Sequence, residues 1–414
     1  VIAPTSVCMN WQSEAARFAP KLKVFSLGEE SQATREKLLE RLGPHSLLVC
    51  SYGLMQQESV ADALAEITWN TIVLDEAQAI KNHATKRSHA VMALTGNFKI
   101  IMTGTPIENH LGELWNLFRF INPGLLGSLE SFKRRFARPI ERDPGKPASA
   151  GASQALRQLI QPFILRRTKD QVLKELPSRT DITLAVDLSE EESTFYEALR
   201  REAVEKLKGK KSKAGTRHLQ VLAEIMKLRR ACCNPSLVKP ELAIPSTKLK
   251  QFNELISELL DNGHKALVFS QFVDHLKLLR EQLEEQRISY QYLDGSTPAK
   301  KRKQAVDAFQ NGDGNVFLIS LKAGGSGLNL TAADYVIHMD PWWNPAVEDQ
   351  ASDRAHRIGQ QRPVTIYRLI TKGTIEDKIV SLHQEKRDLA DSLLTGADER
   401  GKVSTDELLS LIQQ

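Results

Sequence analysis

Residues 71–78 read TIVLDEAQ, an apolar run with strand character that stops on two adjacent carboxylates, Asp75 and Glu76. Strands buried on both faces of a parallel sheet read as continuous apolar runs, and ligands of such sheets bind beyond the carboxyl ends of the strands. Working outward, VIAPTS (1–6), KVFSL (23–27), SLLVCSY (46–52) and KIIMTGT (99–105) repeat the pattern. Stretches with helical spacing, such as REKLLERL (35–42) and SHAVMAL (88–94), lie between them. A second set follows from about 247 to 370: KALVFSQ, SYQYLDG, NVFLISL, YVIHMD and VTIYRLI, with helices such as VDHLKLLREQLEEQ between. The expected fold class is therefore α/β, with two parallel-sheet lobes covered by helices.

Between 111 and 246 the periodicity is helical, in ELWNLFRFI, SEEESTFYEALRREAVEKLK and QVLAEIMKLRRA, so helical protrusions on the lobes are expected. DPGKPASAGAS (143–153) and KGKKSKAG (208–215) read as mobile loops. Ser404 with Glu407 forms a capping box ahead of LLSLI, predicting a short closing helix. With 414 residues, 41% hydrophobic and 26% charged, the chain has the composition of a soluble globular protein of two or three domains. Disordered, collagen-like and coiled-coil classes are excluded, and no apolar run approaches the roughly 18 residues of a membrane span. A net charge of +5 is too mild to prove a polyanionic partner. Cys8, Cys50, Cys232 and Cys233 lack zinc-knuckle spacing and read as reduced thiols of a cytosolic or nuclear protein. Residue 1 is Val, and the chain opens directly on a strand-like run, which reads as a piece of a longer polypeptide.

The chemistry lies at the ends of the strand runs. Asp75 suits magnesium held through water, and Glu76 suits the orienting or deprotonation of a water that attacks a γ-phosphate; taken alone, the pair is also the ordinary solvated end of a strand. MTGTPIEN (102–109) offers Thr103 and Thr105 hydroxyls around Gly and Pro, and SLKAGGSGLNL (320–330) offers bare glycine amides able to approach an anion. In DQASDRAHRIGQ (349–360), Arg354 and Arg357 are three apart, hence on one helical face, where two guanidiniums suit a transferring phosphoryl group.

Together and in this order, these elements resemble the ATPase motor of the SWI/SNF-type family within helicase superfamily two. The resemblance spans essentially the whole chain: APTSVCMNWQ, LDEAQAIKN, MTGTPIENHLGELWNLFRFINPGLLG, PFILRRTKDQVLKELP, LRRACCNP, ALVFSQF, SLKAGGSGLNLTAADYVIHMDPWWNPAVEDQASDRAHRIGQ and GTIEDKI each match a family motif in sequence order. It implies two RecA-like lobes, a first lobe with its protrusion over 1–175 and truncated at its start, a linker and second protrusion over 176–246, a second lobe over 247–370, and C-terminal brace helices over 371–414. It further implies that Asp75 and Glu76 serve magnesium binding and ATP hydrolysis, that Gln78 and Thr103 couple nucleotide to DNA, that Gly327 contacts nucleotide, that Gln350 lies near the γ-phosphate, and that Arg354 and Arg357 are arginine fingers. The cofactors implied are ATP and Mg2+. Gln78 stands where many family members carry His, which points to a bacterial or archaeal branch, and Ser326 stands where valine is commoner.

The family's phosphate-binding loop, ending in Gly-Lys-Ser/Thr, should precede the first motif, and the 414 residues hold no substitute: Gly145-Lys146 runs into Pro147, and Gly209-Lys210 into another Lys. Without that cradle the β and γ phosphates lose their main anchor, so this polypeptide alone is expected to hydrolyse ATP negligibly. By motif resemblance the contacts to double-stranded DNA are Thr5, Ser6, Ser51, Tyr52, Ser270, Gln271 and Lys322, directed mainly at phosphates. KRRFAR (133–138), RRTK (166–169) and KKRK (300–303) either enlarge that footprint or are solvated faces. Trp342 and Trp343 are expected to pack behind motif loops rather than stack on bases, and His356 to pack or hydrogen-bond rather than bind metal. The implied activity is translocation on duplex DNA with remodelling of DNA-bound proteins, in a cytoplasmic, nucleoid-associated setting without membrane. A strand-separating helicase, favoured by single-strand-stimulated ATPase, and a nucleotide-independent scaffold, disfavoured by the retained acids and arginines, remain as alternatives.

Overall fold

The computed structural model describes residues 1–28, 31–104, 110–142, 147–167, 169–173, 175–208, 214–324 and 328–381. Among these the chain divides into two compact units, Val1–Ile164 and the residues from Leu165 onward. The closing helix expected near Ser404, and the glycine-rich residues 325–327, lie outside the described residues.

The first unit is built on a five-stranded, wholly parallel sheet: β1 (Ile2–Ala3), β2 (Lys23–Ser26), β3 (Ser46–Ser51), β4 (Thr68–Leu74) and β5 (Thr95–Ile101), in the order β2-β3-β1-β4-β5. Of VIAPTS only Ile2 and Ala3 are strand. Pro4, which has no amide hydrogen to give to a ladder, stands immediately before the helix Thr5–Phe18. β1 pairs Ile2 with Cys50 of β3 and with Leu74 of β4, so the carboxyl ends of these strands lie side by side. Ile2, Leu48, Cys50, Ile72, Leu74 and Ile80 form the core against the flanking helices.

A helical module follows, centred on Leu111–Ile121. Leu111, Leu114, Trp115 and Phe118 of that helix pack with Phe132, Phe136, Leu156 and Ile160. The buried Asn116 amide donates to the Ile80 carbonyl at 2.6 Å and to Ser88 Oγ at 2.9 Å, tying this helix to the segment that follows the acid pair. Pro147–Ile160 is helix, where a loop was expected over 143–153. Pro147 suits a first helical position, the run is rich in alanine, and burial of Leu156 and Ile160 supplies the driving force that a composition-based reading misses.

The second unit holds a six-stranded parallel sheet: β6 (Arg179–Val186), β7 (Ala266–Ser270), β8 (Tyr290–Leu293), β9 (Val316–Ser320), β10 (Tyr335–His338) and β11 (Val364–Thr371), ordered β6-β11-β10-β7-β9-β8. Every residue of β7 and β9 is buried, as expected of central parallel strands. β6, in the stretch read as linker, is the edge strand beside β11, paired over its full length from Arg179–Val364 to Val186–Thr371. Helices Glu190–Lys208 and Ala214–Cys233 form a separate module, whose core includes Leu199, Ala203, Val221, Ile225, Leu228 and, from the helical segment 375–381, Ile375 and Ile379.

Candidate functional site

In the first unit the expected residues gather where the strands end. The Asp75 amide donates to the Ile2 carbonyl at 2.9 Å, continuing the ladder one residue past β4. Its side chain is fixed from two directions, with Oδ2 accepting from the Trp11 indole Nε1 at 2.9 Å and Oδ1 accepting from the Glu76 amide at 2.8 Å. Each carboxylate oxygen has a further lone pair, and the residue is only half-buried, so the set fits a magnesium ion held through water. Glu76 sits in the left-handed region (φ 49°), which turns the chain sharply. Ala77 then donates its amide to the Met102 carbonyl at 3.0 Å, bringing the acid turn against the end of β5.

Across that join runs a side-chain relay: Thr103 Oγ1 donates to Gln78 Oε1 at 2.9 Å, and Gln78 Nε2 donates to Glu76 Oε2 at 2.7 Å. The residues expected to couple nucleotide to DNA are thus bonded to the candidate base. Thr5 is exposed at the start of its helix, beyond β1. Ser6 lies in the same turn, and its side chain is outside what the structure describes. Ser51 is buried and its Oγ accepts from the Leu54 amide at 3.2 Å. Tyr52, expected as a phosphate contact, is only 3% exposed, and its hydroxyl donates to the Asp75 carbonyl at 3.0 Å. Burial, reinforced by Asp75 and Glu76, pushes that hydroxyl well above its ordinary range, so it stays a donor. Tyr52 braces the acid turn from beneath, and its side chain does not face solvent. Trp11 is the residue that sequence reasoning missed: it stands inside the quoted APTSVCMNWQ, but nothing local links it to Asp75.

In the second unit, Gln350 is half-buried on the helix Pro345–Ser352. The helix ends at Ser352, so Arg354 and Arg357 occupy the turns after it instead of sharing one helical face. The backbone is drawn away there by tertiary bonds: Leu330 donates its amide to the Arg354 carbonyl at 3.0 Å, and Lys169 Nζ pairs with Asp353 Oδ1 at 2.6 Å. Arg357 Nη1 donates to the Leu328 carbonyl at 3.2 Å. Gly327 itself is outside the described residues. His356 Nε2 bonds the Pro177 carbonyl at 2.8 Å, a structural hydrogen bond as expected.

Ser270, Gln271 and Lys322 lie at the carboxyl ends of β7 and β9. Ser270 is 1% exposed with Oγ donating to Asp340 Oδ1 at 2.5 Å, so its hydroxyl is committed inward, contrary to a direct phosphate contact. Gln271 is half-buried, its Oε1 accepting from Arg229 Nη1 at 3.1 Å, and Lys322 is exposed. Arg229, in LRRACCNP, is wholly buried. It donates to the Pro341 carbonyl, and its guanidinium carbon lies 5.7, 6.0 and 5.3 Å from the ring centroids of Phe272, Trp342 and Trp343. The two tryptophans are half-buried around this cation, in keeping with packing behind motif loops.

One parallel-sheet unit thus carries an acid relay at its strand ends, and the other carries Arg354 and Arg357 beyond the helix Pro345–Ser352. Residues 1–237 match the SNF2-related domain and residues 247–359 the helicase conserved C-terminal domain, and the chain belongs to the SNF2-related family. The Bacillus subtilis protein YwqA, provisionally named an ATP-dependent helicase/translocase, is 39% identical over 99% of this chain and 45% of its own length. The ISWI chromatin-remodeling complex ATPase CHR17 of Arabidopsis thaliana is 33% identical over 100% of this chain and 39% of its own. The chain thus spans less than half the length of these relatives. Among solved structures, the Sulfolobus solfataricus SWI2/SNF2 ATPase core in complex with dsDNA is 35% identical, covering 100% of this chain and 85% of that one, with a TM-score of 0.47. Among the described residues no helix is long and apolar enough to cross a membrane.

Proposed function

We propose that the chain is the motor portion of an ATP-driven translocase that moves along double-stranded DNA and displaces or rearranges proteins bound to it, in the cytoplasm at the nucleoid. The observation that carries this reading is the Glu76–Gln78–Thr103 relay at the joined ends of β4 and β5. It holds a candidate base in place and links it to the neighbouring strand end, as a site that couples hydrolysis to a second ligand requires.

In this reading Asp75 holds magnesium through water, and the ion, when bound, neutralises charge on the β and γ phosphates. Glu76 orients the attacking water and takes its proton, while Gln78 keeps the carboxylate from rotating away. Arg354 and Arg357 supply positive charge to the transferring phosphoryl group, with Gln350 near the γ-phosphate and Gly327 as a nucleotide contact. Thr5 and Lys322 meet the DNA phosphates with their side chains. Ser6, Ser51, Tyr52, Ser270 and Gln271 shape the loops that face the DNA, with the Tyr52 amide given to the Ala3 carbonyl and the Gln271 amide to Asp340. Family membership and the motif-by-motif resemblance support this assignment.

A steady-state ATPase assay, run on a form carrying a Gly-Lys-Ser/Thr phosphate loop ahead of Val1 and on the 414-residue chain, tests it. Hydrolysis stimulated by duplex DNA is expected for the first form and negligible turnover for the second. Stimulation by single strands with duplex unwinding would replace translocation by strand separation, and absence of any hydrolysis in the loop-bearing form would leave a scaffold. DNA affinity is expected to fall steeply and log-linearly with salt, by a slope of about −0.9 per phosphate contacted.

A further inference from the structure

Three side chains that the mechanism above does not use meet inside the second unit. Cys233 ends the helix Ala214–Cys233, His275 lies in the first turn of Val273–Glu285, and Asp340 follows β10 by two residues. A ligand atom of each, the thiol sulfur, a ring nitrogen and a carboxylate oxygen, lies within 4.8 Å of the others, and all three residues are buried. His275 is the anomaly. It is 0% exposed, and neither Nδ1 nor Nε2 has a hydrogen-bond partner among the described residues. A neutral imidazole carries one donor and one acceptor, and native interiors rarely leave both unmet without an ion or water to take them.

Asp340 is already oriented for a further ligand. Ser270 Oγ donates to Oδ1, and the Gln271 amide approaches both carboxylate oxygens at 3.3 and 3.2 Å, leaving lone pairs over. The two cations that act on this carboxylate, Arg229 and Lys248, are themselves engaged, Arg229 by Gln271 and the Pro341 carbonyl and Lys248 by Glu376.

We propose that Cys233, His275 and Asp340 supply three protein ligands to one buried zinc ion, whose fourth position a water molecule takes. The donor set of one sulfur, one nitrogen and one oxygen is a zinc set, since magnesium and calcium take oxygen ligands throughout. Zinc bonds of about 2.0–2.3 Å put tetrahedral ligands roughly 3.5 Å apart, so the three ligand atoms, now within 4.8 Å of one another, would draw closer on binding. The imidazole is held neutral by burial and offers its lone pair, and the Cys233 thiol gives its proton to solvent as the sulfur–zinc bond forms. The ion would join the end of the 214–233 helix to the 273–285 helix and to β10, locking the second helical module onto its sheet.

The test uses the untagged full chain grown in zinc-supplemented medium. Elemental analysis is expected to find about one zinc per chain, falling to background in Cys233→Ser and His275→Gln and unchanged in Cys232→Ser, whose sulfur is outside the cluster. Because a buried substitution can simply unfold the unit, the wild-type chain is also loaded with Co2+. A thiolate-to-cobalt charge-transfer band with the intense visible absorption of tetrahedral cobalt is expected. Wild-type protein with background zinc and no such band would overturn the proposal, as would folded Cys233→Ser and His275→Gln chains that keep full zinc.

Discussion

Glu76 adopts a backbone conformation that costs a residue with a side chain roughly 1–2 kcal/mol, and it does so between two strand ends that hold it on both sides. The strain places its carboxylate on Gln78 instead of letting it run on in line with β4. Under the proposed assignment of Glu76 as general base, Glu76→Gln in the loop-bearing form with duplex DNA is expected to lower kcat by about 10²–10⁴-fold with nucleotide binding retained. Gln78→Ala is expected to cost about tenfold in kcat, the worth of one positioning hydrogen bond, with the DNA-stimulated rate falling more than the basal rate. Trp11→Phe removes the indole donor that positions Asp75 and keeps the ring, so weaker magnesium binding and a higher magnesium concentration for half-maximal rate are expected, corresponding to up to about 1.5–3 kcal/mol for a hydrogen bond to a charged acceptor. A magnesium titration of the ATPase reads this directly. The acids were legible because adjacency in the chain places them together at one strand end. Trp11 and the inward turn of Tyr52 were not, because each bonds Asp75 from a different strand connection and no local pattern encodes that partner.

At the scale of elements, the segment carrying the paired arginines is held to the sheet by charge. Arg368 of β11 pairs with Glu348 at 2.9 Å and with Asp181 of β6 at 2.7 Å, and Arg179 pairs with Asp349 at 2.9 Å, so two strands grip the helix Pro345–Ser352. Burial disfavours the charged form of Asp181, but hydrogen bonds from Arg179 and Arg368 overcome it and hold the carboxyl at about 2, below its ordinary 3.8. A depressed carboxylate contributes stability that is complete above the unfolded value and is lost as pH falls through the folded one. Urea unfolding of wild type and Asp181→Asn is therefore expected to differ by a constant amount above pH 3.8, with the gap closing as pH falls towards about 2. The spacing of Arg354 and Arg357 predicts a shared helical face, and that reading failed for a physical reason: local periodicity carries no information on the Lys169–Asp353 pair or the Leu330–Arg354 bond that end the helix early.

At the scale of the whole molecule, among the described residues Lys248 and Glu376 form a buried pair, 2.6 Å apart and 1% and 0% exposed, between the helix Thr247–Asp261 and the segment 375–381. Lys248 Nζ also donates to the Met339 carbonyl, and Glu376 accepts the Thr371 amide, so the pair is bonded to two further strand ends. Lys248→Met is expected to destabilise the second unit by about 3–5 kcal/mol in denaturant unfolding, because it strands a buried carboxylate; Lys248→Met with Glu376→Leu should recover most of that loss. The α/β layering, the parallel strands and the acid pair at a strand end could all be read from the chain because each rests on short-range regularities: apolar runs, helical periods and adjacent residues. The pairing of β6 with β11, the relay from Glu76 to Thr103, the burial of Tyr52 and Ser270 and the meeting of Cys233, His275 and Asp340 could not. They join residues far apart along the chain, and packing and register set those distances, which no local pattern encodes.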